Sequence, residues 1–331
     1  MLLVDHPDDF HRLLPGLLPR TLRSGAPGVP EGGPSGTDPF VGELLRTLDS
    51  RPAGRWWMDT ALPAGIESGF WTTCCLVGRA GHSQYDALRR MIGARQELPG
   101  HVACLALSGR GFHGQQGRTW EAAPGNLHLS LGLRCDLAAP DCGLALTMLP
   151  AVAVVDALAA LGVRGSGPDG PGIKWVNDIL LAGRKMGGVL TSVRSQDGRI
   201  LSAVMGIGLN VGAAPAVAPT PFTPATTCLN EHLPPPGASL AAVLISVLQA
   251  VAVRYRELAA RGPEPLLAAY RSASLVLGRE VEIHQDHPSG AAPRQGRVLA
   301  IGPDLALTLS DGPAPVTAGR LVLKPADRAH P

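Results

Sequence analysis

The sequence predicts an α+β protein in which a mixed β-sheet is packed with helices and is followed by a small β-barrel. Three observations support this fold class. Six strand-like apolar runs lie between residues 66 and 211. Two long helical segments accompany them, at residues 143–161 and 239–261. Several short strand candidates with Gly and Pro turns then follow from about residue 278, which is typical of a barrel.

The strands of the first unit are predicted from apolar or alternating sequence. They cover residues 70–77, 101–107, 126–133, 173–181, 186–193 and 201–211. A glycine between the fourth and fifth runs predicts a hairpin turn over residues 182–185. The barrel strands are predicted at residues 280–284, 296–301, 306–309 and 319–323.

The helices are predicted from the spacing of apolar residues. Residues 83–91 have helical spacing, with Ser83 as a plausible N-cap. Residues 143–161 are apolar nearly all round, which predicts a buried helix, and Pro150 predicts a kink or a break in it.

Residues 1–65 are predicted to be an irregular N-terminal extension. Helical candidates at residues 10–22 and 41–48 flank a Gly/Pro/Ser-rich linker at residues 25–38. No helix-turn-helix is recognisable there, so the extension is not predicted to bind DNA.

The composition excludes several classes of protein. The 331 residues carry 29 Lys and Arg against 27 Asp and Glu, so no broad basic surface is available for nucleic acid or an anionic membrane. No apolar run approaches the ~20 residues that span a bilayer, and acidic residues and prolines near the start are unlike a signal peptide. Six cysteines without a CxxC pair predict buried thiols. We therefore expect a cytoplasmic protein that binds neither nucleic acid nor membrane.

The first candidate site is a loop over residues 108–120. It interleaves four glycines with Arg110, His113 and Arg118, so its backbone N–H groups could face an anion. The loop lacks the pattern of a phosphate-binding P-loop. A plain surface loop is the alternative interpretation.

Two further candidate sites lie on predicted strands. Lys174, Asn177 and Asp178 precede the hairpin turn, and a hairpin could bring them near Lys185 beyond it. The alternative is a solvated hairpin tip. Two close glycines in the segment 206–210 indicate a near approach of a ligand or another backbone, or else a simple β-bulge.

In their order and spacing, these clusters resemble the motifs of the biotin–protein ligases, enzymes that attach biotin to carboxylase carrier domains. The family carries a Ser-Thr-Asn/Met segment, a Gly/Arg-rich loop ending in Trp, Lys-Trp-Pro-Asn-Asp, Arg/Lys-Lys-x-x-Gly and Gly-x-Gly-x-Asn. The matching segments here are residues 83–85, 108–120, 174–178, 184–188 and 206–210, with 126–130 between the second and third. The resemblance implies a class II synthetase-like catalytic domain at residues 66–262 and an SH3-like C-terminal domain at 270–325.

The departures from the family pattern lie mainly in the loop. Without gaps, Gly109 replaces the Gln that contacts biotin, while His113 and Gln115 replace the two arginines that clamp biotin and the adenylate phosphate. A shift of three residues would instead match Arg110 to one family arginine. The sequence leaves both alignments open. Gln84 stands where Thr is usual.

The resemblance implies a two-step reaction. The biotin carboxylate attacks the α-phosphorus of ATP to give biotinyl-5′-AMP and pyrophosphate, and a carrier lysine then takes the biotinyl group and releases AMP. Biotin and ATP with Mg²⁺ are the implied substrates, Lys185 and Arg118 the implied catalytic residues, and Asp178 the candidate Mg²⁺ ligand. The residues implied to bind biotin or the adenylate are Ser83, Gln84, Tyr85, Gly109, His113, Gly114, Gln115, Gly117, Trp120, Lys174, Asn177, Gly187, Gly188, Gly206, Gly208 and Asn210.

The implied partner is the biotin carboxyl carrier domain of a carboxylase, and the chain itself is expected to be a monomer or a homodimer. Two other functions stay open: a ligase for another acyl acid such as lipoate or octanoate, and a non-catalytic protein of the same fold that binds biotin or a nucleotide. Retention of Lys174, Asn177, Asp178 and Lys185 favours an enzyme. The absence of the lipoate ligases' Arg-Arg-x-Gly-Gly-Gly segment and the SH3-like tail favour biotin.

Overall fold

A computed structural model describes residues 1–5, 10, 14, 23–24, 57–59, 62, 65–94, 97–142, 144–165, 167–285 and 292–324. The helical candidates at residues 10–22 and 41–48 and the linker at 25–38 lie almost entirely outside these residues. Within the described chain, no helix has the length and apolar character needed to cross a membrane.

The main element is a mixed β-sheet to which ten strands of the described chain contribute. In chain order they are β1 Leu2–Val4, β2 Arg23–Ser24, β3 Trp57–Asp59, β4 Trp71–Val77, β5 His101–Ala106, β6 Leu127–Ala138, β7 Gly172–Lys174, β8 Asp178–Leu181, β9 Arg184–Gln196 and β10 Arg199–Leu209. Their order across the sheet is β2-β3-β1-β4-β5-β6-β10-β9-β8-β7. The β1–β4 and β4–β5 pairs are parallel and the other pairs are antiparallel.

Helices cover both faces of this sheet. They are α1 Gln84–Gly93, α2 Ala139–Cys142, α3 Ala145–Ala160, α4 Leu240–Arg261 and α5 Glu264–Ser272. Alternate residues of β4 show the two layers: Cys74 and Leu76 pack into the core that holds α3 and α4, whereas Cys75 and Val77 pack into the core under α1. Ser83 caps α1 by accepting a hydrogen bond from the Asp86 N–H, as predicted.

Pro150 neither ends nor divides α3, which runs unbroken from Ala145 to Ala160. A proline has no N–H, so the carbonyl of Leu146, four residues earlier, loses its helical donor. The hydroxyl of Thr191 donates to that carbonyl at 3.3 Å. The neighbouring strand therefore supplies the missing hydrogen bond, and the predicted break is wrong.

The hairpin is confirmed, with a shorter turn than predicted. Ala182 and Gly183 alone form it, both with positive φ, +49° and +69°, as a type I′ turn requires. The predicted strand at residues 173–181 is instead two antiparallel strands, β7 and β8, joined by a turn at residues 175–177. This turn presents adjacent side chains to different parts of the molecule.

The N-terminal strands are a finding that the sequence analysis did not anticipate. β1 lies between β3 and β4, with Leu2, Leu3 and Val4 fully buried. Three residues are too few to show a hydrophobic period, which is why the pattern did not reveal them.

A second sheet, which is antiparallel, is formed by the C-terminal part of the described chain. Its strands are β11 Glu280–His284, β12 Arg294–Ile301, β13 Leu307–Leu309, β14 Gly312–Val316 and β15 Arg320–Leu323, in the order β14-β13-β12-β11-β15. The predicted α+β class, with a mixed sheet and a C-terminal β unit, is confirmed. Buried residues of this unit, such as Val281 and Val298, belong to the same continuous hydrophobic cluster as α3 and α4.

Candidate active site

A cavity of about 440 Å³ lies at one end of the main sheet, where β6, β8 and β9 begin and β10 ends. The loop at residues 109–120 covers one side of it, and the segment 215–226 borders another. Most of the residues implied by the motifs meet here. Those that line the cavity are Ser83, Tyr85, His113, Gly114, Gln115, Arg118, Trp120, Asn177, Asp178, Lys185, Gly188, Gly206, Gly208 and Asn210.

The polar end of the cavity is built around an ion pair. Lys185 Nζ donates to Asp178 Oδ1 at 2.6 Å, and the two side chains are 20% and 15% exposed. They lie on the paired strands β8 and β9. The backbone of Lys185 is held on its other side, because its N–H donates to Ala225 and its carbonyl accepts from Thr227. Lys185 therefore has a fixed position in the cavity wall.

A second cavity of about 310 Å³ adjoins the first and shares Gln115, Arg118, Asn177 and Asp178 with it. Lys174 lines this second cavity and is only 5% exposed. Burial lowers the pKa of its ammonium group below the ordinary value, and Asp178 opposes this effect. Three neighbouring cations lower the same pKa further: Lys185, Arg118 and Arg320.

His113 holds the loop against α1. Its Nε2 lies 2.7 Å from Asp86 Oδ2 and its Nδ1 lies 3.0 Å from the Gly114 carbonyl. The Gly114 hydrogen bond and then Asp86 raise the pKa of His113. Because both ring nitrogens face acceptors, the imidazolium form satisfies both contacts at once. The raised pKa favours a cationic His113, whose charge is titratable, unlike that of the arginine in the family pattern.

The apolar end of the cavity is formed by Trp120, which His128 holds in place. The indole Nε1 of Trp120 donates to His128 Nδ1 at 3.2 Å, and His128 Nε2 lies 2.9 Å from the Ala123 carbonyl. This arrangement requires a neutral His128, and burial lowers its pKa accordingly. A Cβ on Gly208 would lie 2.7 Å from the Trp120 ring, so glycine is needed there for the indole to pack on β10.

The comparisons with known proteins agree with the family that the motifs resemble. Residues 95–210 match the model of the biotin/lipoate A/B protein ligase family. The biotin–[acetyl-CoA-carboxylase] ligase of Mycobacterium tuberculosis is 33% identical over 225 residues, which cover 66% of this chain and 77% of that protein. The chain belongs to the biotin protein ligase family.

Two other relatives mark the extent of this likeness. The bifunctional ligase/repressor BirA of Bacillus subtilis is 33% identical over 181 residues, so the chain spans 52% of its length. The biotin protein ligase from Aquifex aeolicus, solved in complex with biotin and ATP, superposes with a TM-score of 0.57 at 18% identity, over 76% of this chain and 99% of that one. This last comparison shows a shared fold.

Five residues implied by the biotin protein ligase motifs do not line the main cavity, and one of them, Lys174, lines the second cavity instead. Gln84 is fully buried, and neither of its amide atoms has a hydrogen-bond partner among the described residues. Gly109 and Gly117 border a shallower groove on the other side of the loop. A Cβ on Gly187 would lie 2.4 Å from the Gly208 carbonyl, so this glycine serves strand packing. The motif placed Gly187 near the ligand by its adjacency to Gly188, whereas adjacent residues of a strand face opposite ways.

The loop geometry agrees with the ungapped alignment. His113 and Gln115 line the main cavity, whereas Arg110 is exposed and borders the outer groove. The shifted alignment would need Arg110 to face the cavity. The geometry therefore favours the alignment in which His113 and Gln115 stand where the family pattern has its two arginines.

Asp178 is the residue that the motifs imply as a Mg²⁺ ligand. The described residues contain no group of three or more His, Cys, Asp or Glu side chains that could hold a metal ion, and Asp178 is engaged by Lys185. Asp178 is the ion-pair partner of Lys185, and its role as a Mg²⁺ ligand stays a prediction.

The sequence analysis missed His128, Phe222 and Arg320. His128 had a usable signal: with Ser130 it occupies alternate polar positions in a strand whose other residues are apolar. Phe222 and Arg320 lie in no recognisable motif and reach the site only through the tertiary fold.

Proposed function

We propose that this protein is an ATP-dependent biotin ligase that forms biotinyl-5′-AMP and transfers the biotinyl group to a lysine of a carboxylase carrier domain. One observation carries the proposal: a single cavity joins an apolar end under Trp120 to a cationic end at Lys185 and Arg118. Such a cavity suits an apolar acid whose carboxylate must meet a triphosphate. The relatives named as biotin ligases support the choice of acid.

The first step joins two anions, the acid carboxylate and ATP, which repel each other in water. A carboxylate oxygen bonds to the α-phosphorus, the bond from that phosphorus to its bridging oxygen breaks, and pyrophosphate leaves with the electron pair. The ammonium of Lys185, kept in place by Asp178, stabilises the charge that develops on the phosphoryl oxygens. ATP enters as its Mg²⁺ complex, with the metal held mainly by the phosphates.

Asn210 is suited to the nucleotide. Its Nδ2 donates to the Thr227 carbonyl at 3.1 Å, which orients the side chain. Its Oδ1 is buried and has no hydrogen-bond partner among the described residues. An unpaired buried acceptor costs about 1–3 kcal/mol, and a donor of the bound adenosine offsets this cost.

In the second step the neutral amine of a carrier lysine attacks the acyl carbon of the adenylate. The C–O bond to the phosphate breaks, AMP leaves with the electron pair, and the attacking nitrogen gives up one proton to the solvent. Lys185 and Arg118 stabilise the departing phosphate, so the same cations serve both steps.

ATP–pyrophosphate exchange with biotin tests the proposal. Lys185→Ala should abolish the exchange, because the developing phosphoryl charge loses its fixed cation. Arg184→Ala is the matched control: Arg184 is the preceding residue, but its side chain pairs with Glu231 at 2.8 Å and does not line the cavity. Unchanged exchange in Lys185→Ala contradicts the assignment.

The altered loop favours one second candidate, a ligase for another acyl acid. His113 and Gln115 stand at the clamp positions and line the cavity. Exchange measured in parallel with biotin, lipoate and octanoate, followed by transfer to a carrier domain, separates the two. Exchange with lipoate or octanoate but not with biotin selects the second candidate, and exchange with none indicates a non-catalytic binding protein.

A further inference from the structure

Thr227 contacts both Lys185 and Asn210 through its backbone. Its N–H donates to the Lys185 carbonyl at 3.0 Å, and its carbonyl accepts from Asn210 Nδ2 at 3.1 Å. Lys185 and Asn210 line the main cavity, whereas Thr227 does not line it and is fully buried. The distance between the proposed catalytic ammonium and the proposed nucleotide-binding amide therefore depends in part on the position of Thr227.

Two further backbone hydrogen bonds attach the segment around Thr227 to the main sheet. The Lys185 N–H donates to the Ala225 carbonyl at 2.8 Å, and the Leu229 N–H donates to the Asn210 carbonyl at 2.9 Å. Lys185 belongs to β9, and Asn210 directly follows β10. The segment thus bridges the start of β9 and the end of β10, and Thr227 is at the middle of this bridge.

Two polar side chains hold the hydroxyl of Thr227. The hydroxyl donates to Glu231 Oε2 at 3.0 Å, and His232 Nε2 lies 2.7 Å from the hydroxyl oxygen. Because the hydroxyl has a single proton and donates it to the carboxylate, His232 donates its Nε2–H to the hydroxyl oxygen. The hydroxyl therefore has both a donor and an acceptor, which fixes the Thr227 side chain.

Glu231 has a further partner, Arg184, whose guanidinium nitrogen lies 2.8 Å from the same Oε2 atom. The two side chains of this ion pair are 43% and 40% exposed, so water can replace the contact at little cost. Thr227 is fully buried, and a buried polar atom that loses its partner is costly. The hydroxyl of Thr227 is therefore the contact that fixes the segment, and Arg184 is not needed for it.

We propose that Thr227 is a positioning residue that keeps Lys185 and Asn210 at a fixed separation. Its hydroxyl, bound to Glu231 and His232, fixes the segment whose backbone holds the other two residues. This inference rests on the proposed function. Thr227 lies outside the cavity, so it acts only through the ammonium that stabilises the phosphoryl charge and the amide that binds the nucleotide. A small displacement of such groups slows a reaction, because the reacting atoms leave their productive alignment.

Calorimetric titration of the full chain with AMP tests the action through Asn210 without relying on catalysis. We expect Thr227→Val, which keeps the shape of the side chain and loses the hydroxyl, to weaken AMP binding about tenfold. Thr227→Ser, which restores the hydroxyl, should stay within about twofold of the unaltered protein. In an Asn210→Ala background the amide is absent, so Thr227→Val should cause no further loss of AMP affinity.

ATP–pyrophosphate exchange with biotin supplies the readout for Lys185. In Thr227→Val the kcat should fall about tenfold and the KM for ATP should rise, while the KM for biotin stays within about twofold. Thr191→Val is the matched control, because it removes a hydroxyl hydrogen bond from β9 at a residue that does not line the cavity. Its kcat and both KM values should stay within about twofold of the unaltered protein. Thermal unfolding measures how far each variant is destabilised.

Three results overturn the positioning role of Thr227. The first is equal AMP affinity in Thr227→Val and the unaltered protein, and the second is an equal loss of affinity with and without Asn210→Ala. The third is a fall in kcat that is no larger in Thr227→Val than in Thr191→Val. AMP binding that depends on Thr227, without exchange for any acid, leaves the positioning of Asn210 standing and refutes the ligase activity.

Discussion

At the scale of single residues, the site depends on which cations are permanent and which can be lost. His113 stands where the family pattern has an arginine, so a titratable side chain replaces a permanent cation. Its contact to Asp86 holds the loop against α1, while its contact to the Gly114 carbonyl lies within the loop. The closure of the loop should therefore depend on pH.

The direction of this dependence follows from the raised pKa of His113. A raised folded-state pKa means that the contact is fully present below the unfolded value of about 6.5 and is lost as pH rises through the folded value. We expect trypsin to cleave after Arg118 faster, relative to a free peptide of the loop sequence, as pH rises from 6 to 8. Trypsin should cleave the Asp86→Asn variant fast over this whole pH range. If the ratio of the two cleavage rates in the unaltered protein does not change with pH, the contact between His113 and Asp86 does not hold the loop closed.

At Gln115 a permanent cation can be added, since this residue lines both cavities at a position where the family pattern has an arginine. Gln115→Arg should slow release of the acyl-adenylate about tenfold, because a charge-assisted hydrogen bond to phosphate replaces a neutral one. Gln196→Arg, at the far end of β9, is the control for added charge. Stopped-flow fluorescence measures the rate of adenylate release. An unchanged rate in Gln115→Arg would mean that residue 115 does not reach the phosphate.

At the scale of elements, α3 depends on β9 for the hydrogen bond that Pro150 cannot give. Thr191→Val should lower the free energy of unfolding by about 1 kcal/mol, because the Leu146 carbonyl is left without a donor. In a Pro150→Ala background, where residue 150 again has an N–H, the same change should cost less. Urea unfolding of all four variants forms a double-mutant cycle. Additive effects would show that the Thr191 contact is incidental.

The sequence predicted most of the helices and strands and missed those that depend on tertiary contacts. Strands β4, β5, β6 and β10 were evident because their apolar runs are long. β14 was missed because Pro313 and Pro315 argue against a strand, yet β14 is at the sheet edge, where unpaired N–H positions tolerate proline. The motifs predicted which residues would meet at the cavity. They could not reveal Arg320, whose place in the second cavity depends on packing between segments that are far apart in the chain.

At the scale of the whole molecule, the catalytic part and the C-terminal unit are joined through their cores. Trp175 Nε1 donates to the Leu305 carbonyl at 2.7 Å, and Arg271 Nε donates to the Ile301 carbonyl at 2.9 Å. The apolar residues on both sides form one cluster. A shared core favours a single cooperative transition.

We expect urea unfolding to give coincident transitions by circular dichroism and by tryptophan fluorescence. Trp175→Ala removes both the indole packing and its hydrogen bond, so it should separate the transition into two steps. Trp175→Phe keeps most of the packing and should cost about 1 kcal/mol while retaining one step. Two transitions in the unaltered protein would show that the units unfold independently.

The turn between β7 and β8 has a consequence for exchanging parts between related enzymes. Within three successive residues, the Lys174 side chain lines the second cavity, the Trp175 indole reaches Leu305, and the Val176 carbonyl accepts from the Tyr270 hydroxyl on α5. A chimera that imports a foreign C-terminal unit must therefore bring a carbonyl that receives this indole. If it does not, the grafted unit disturbs Lys174 in the second cavity without touching it, and the recombination boundary belongs before α5.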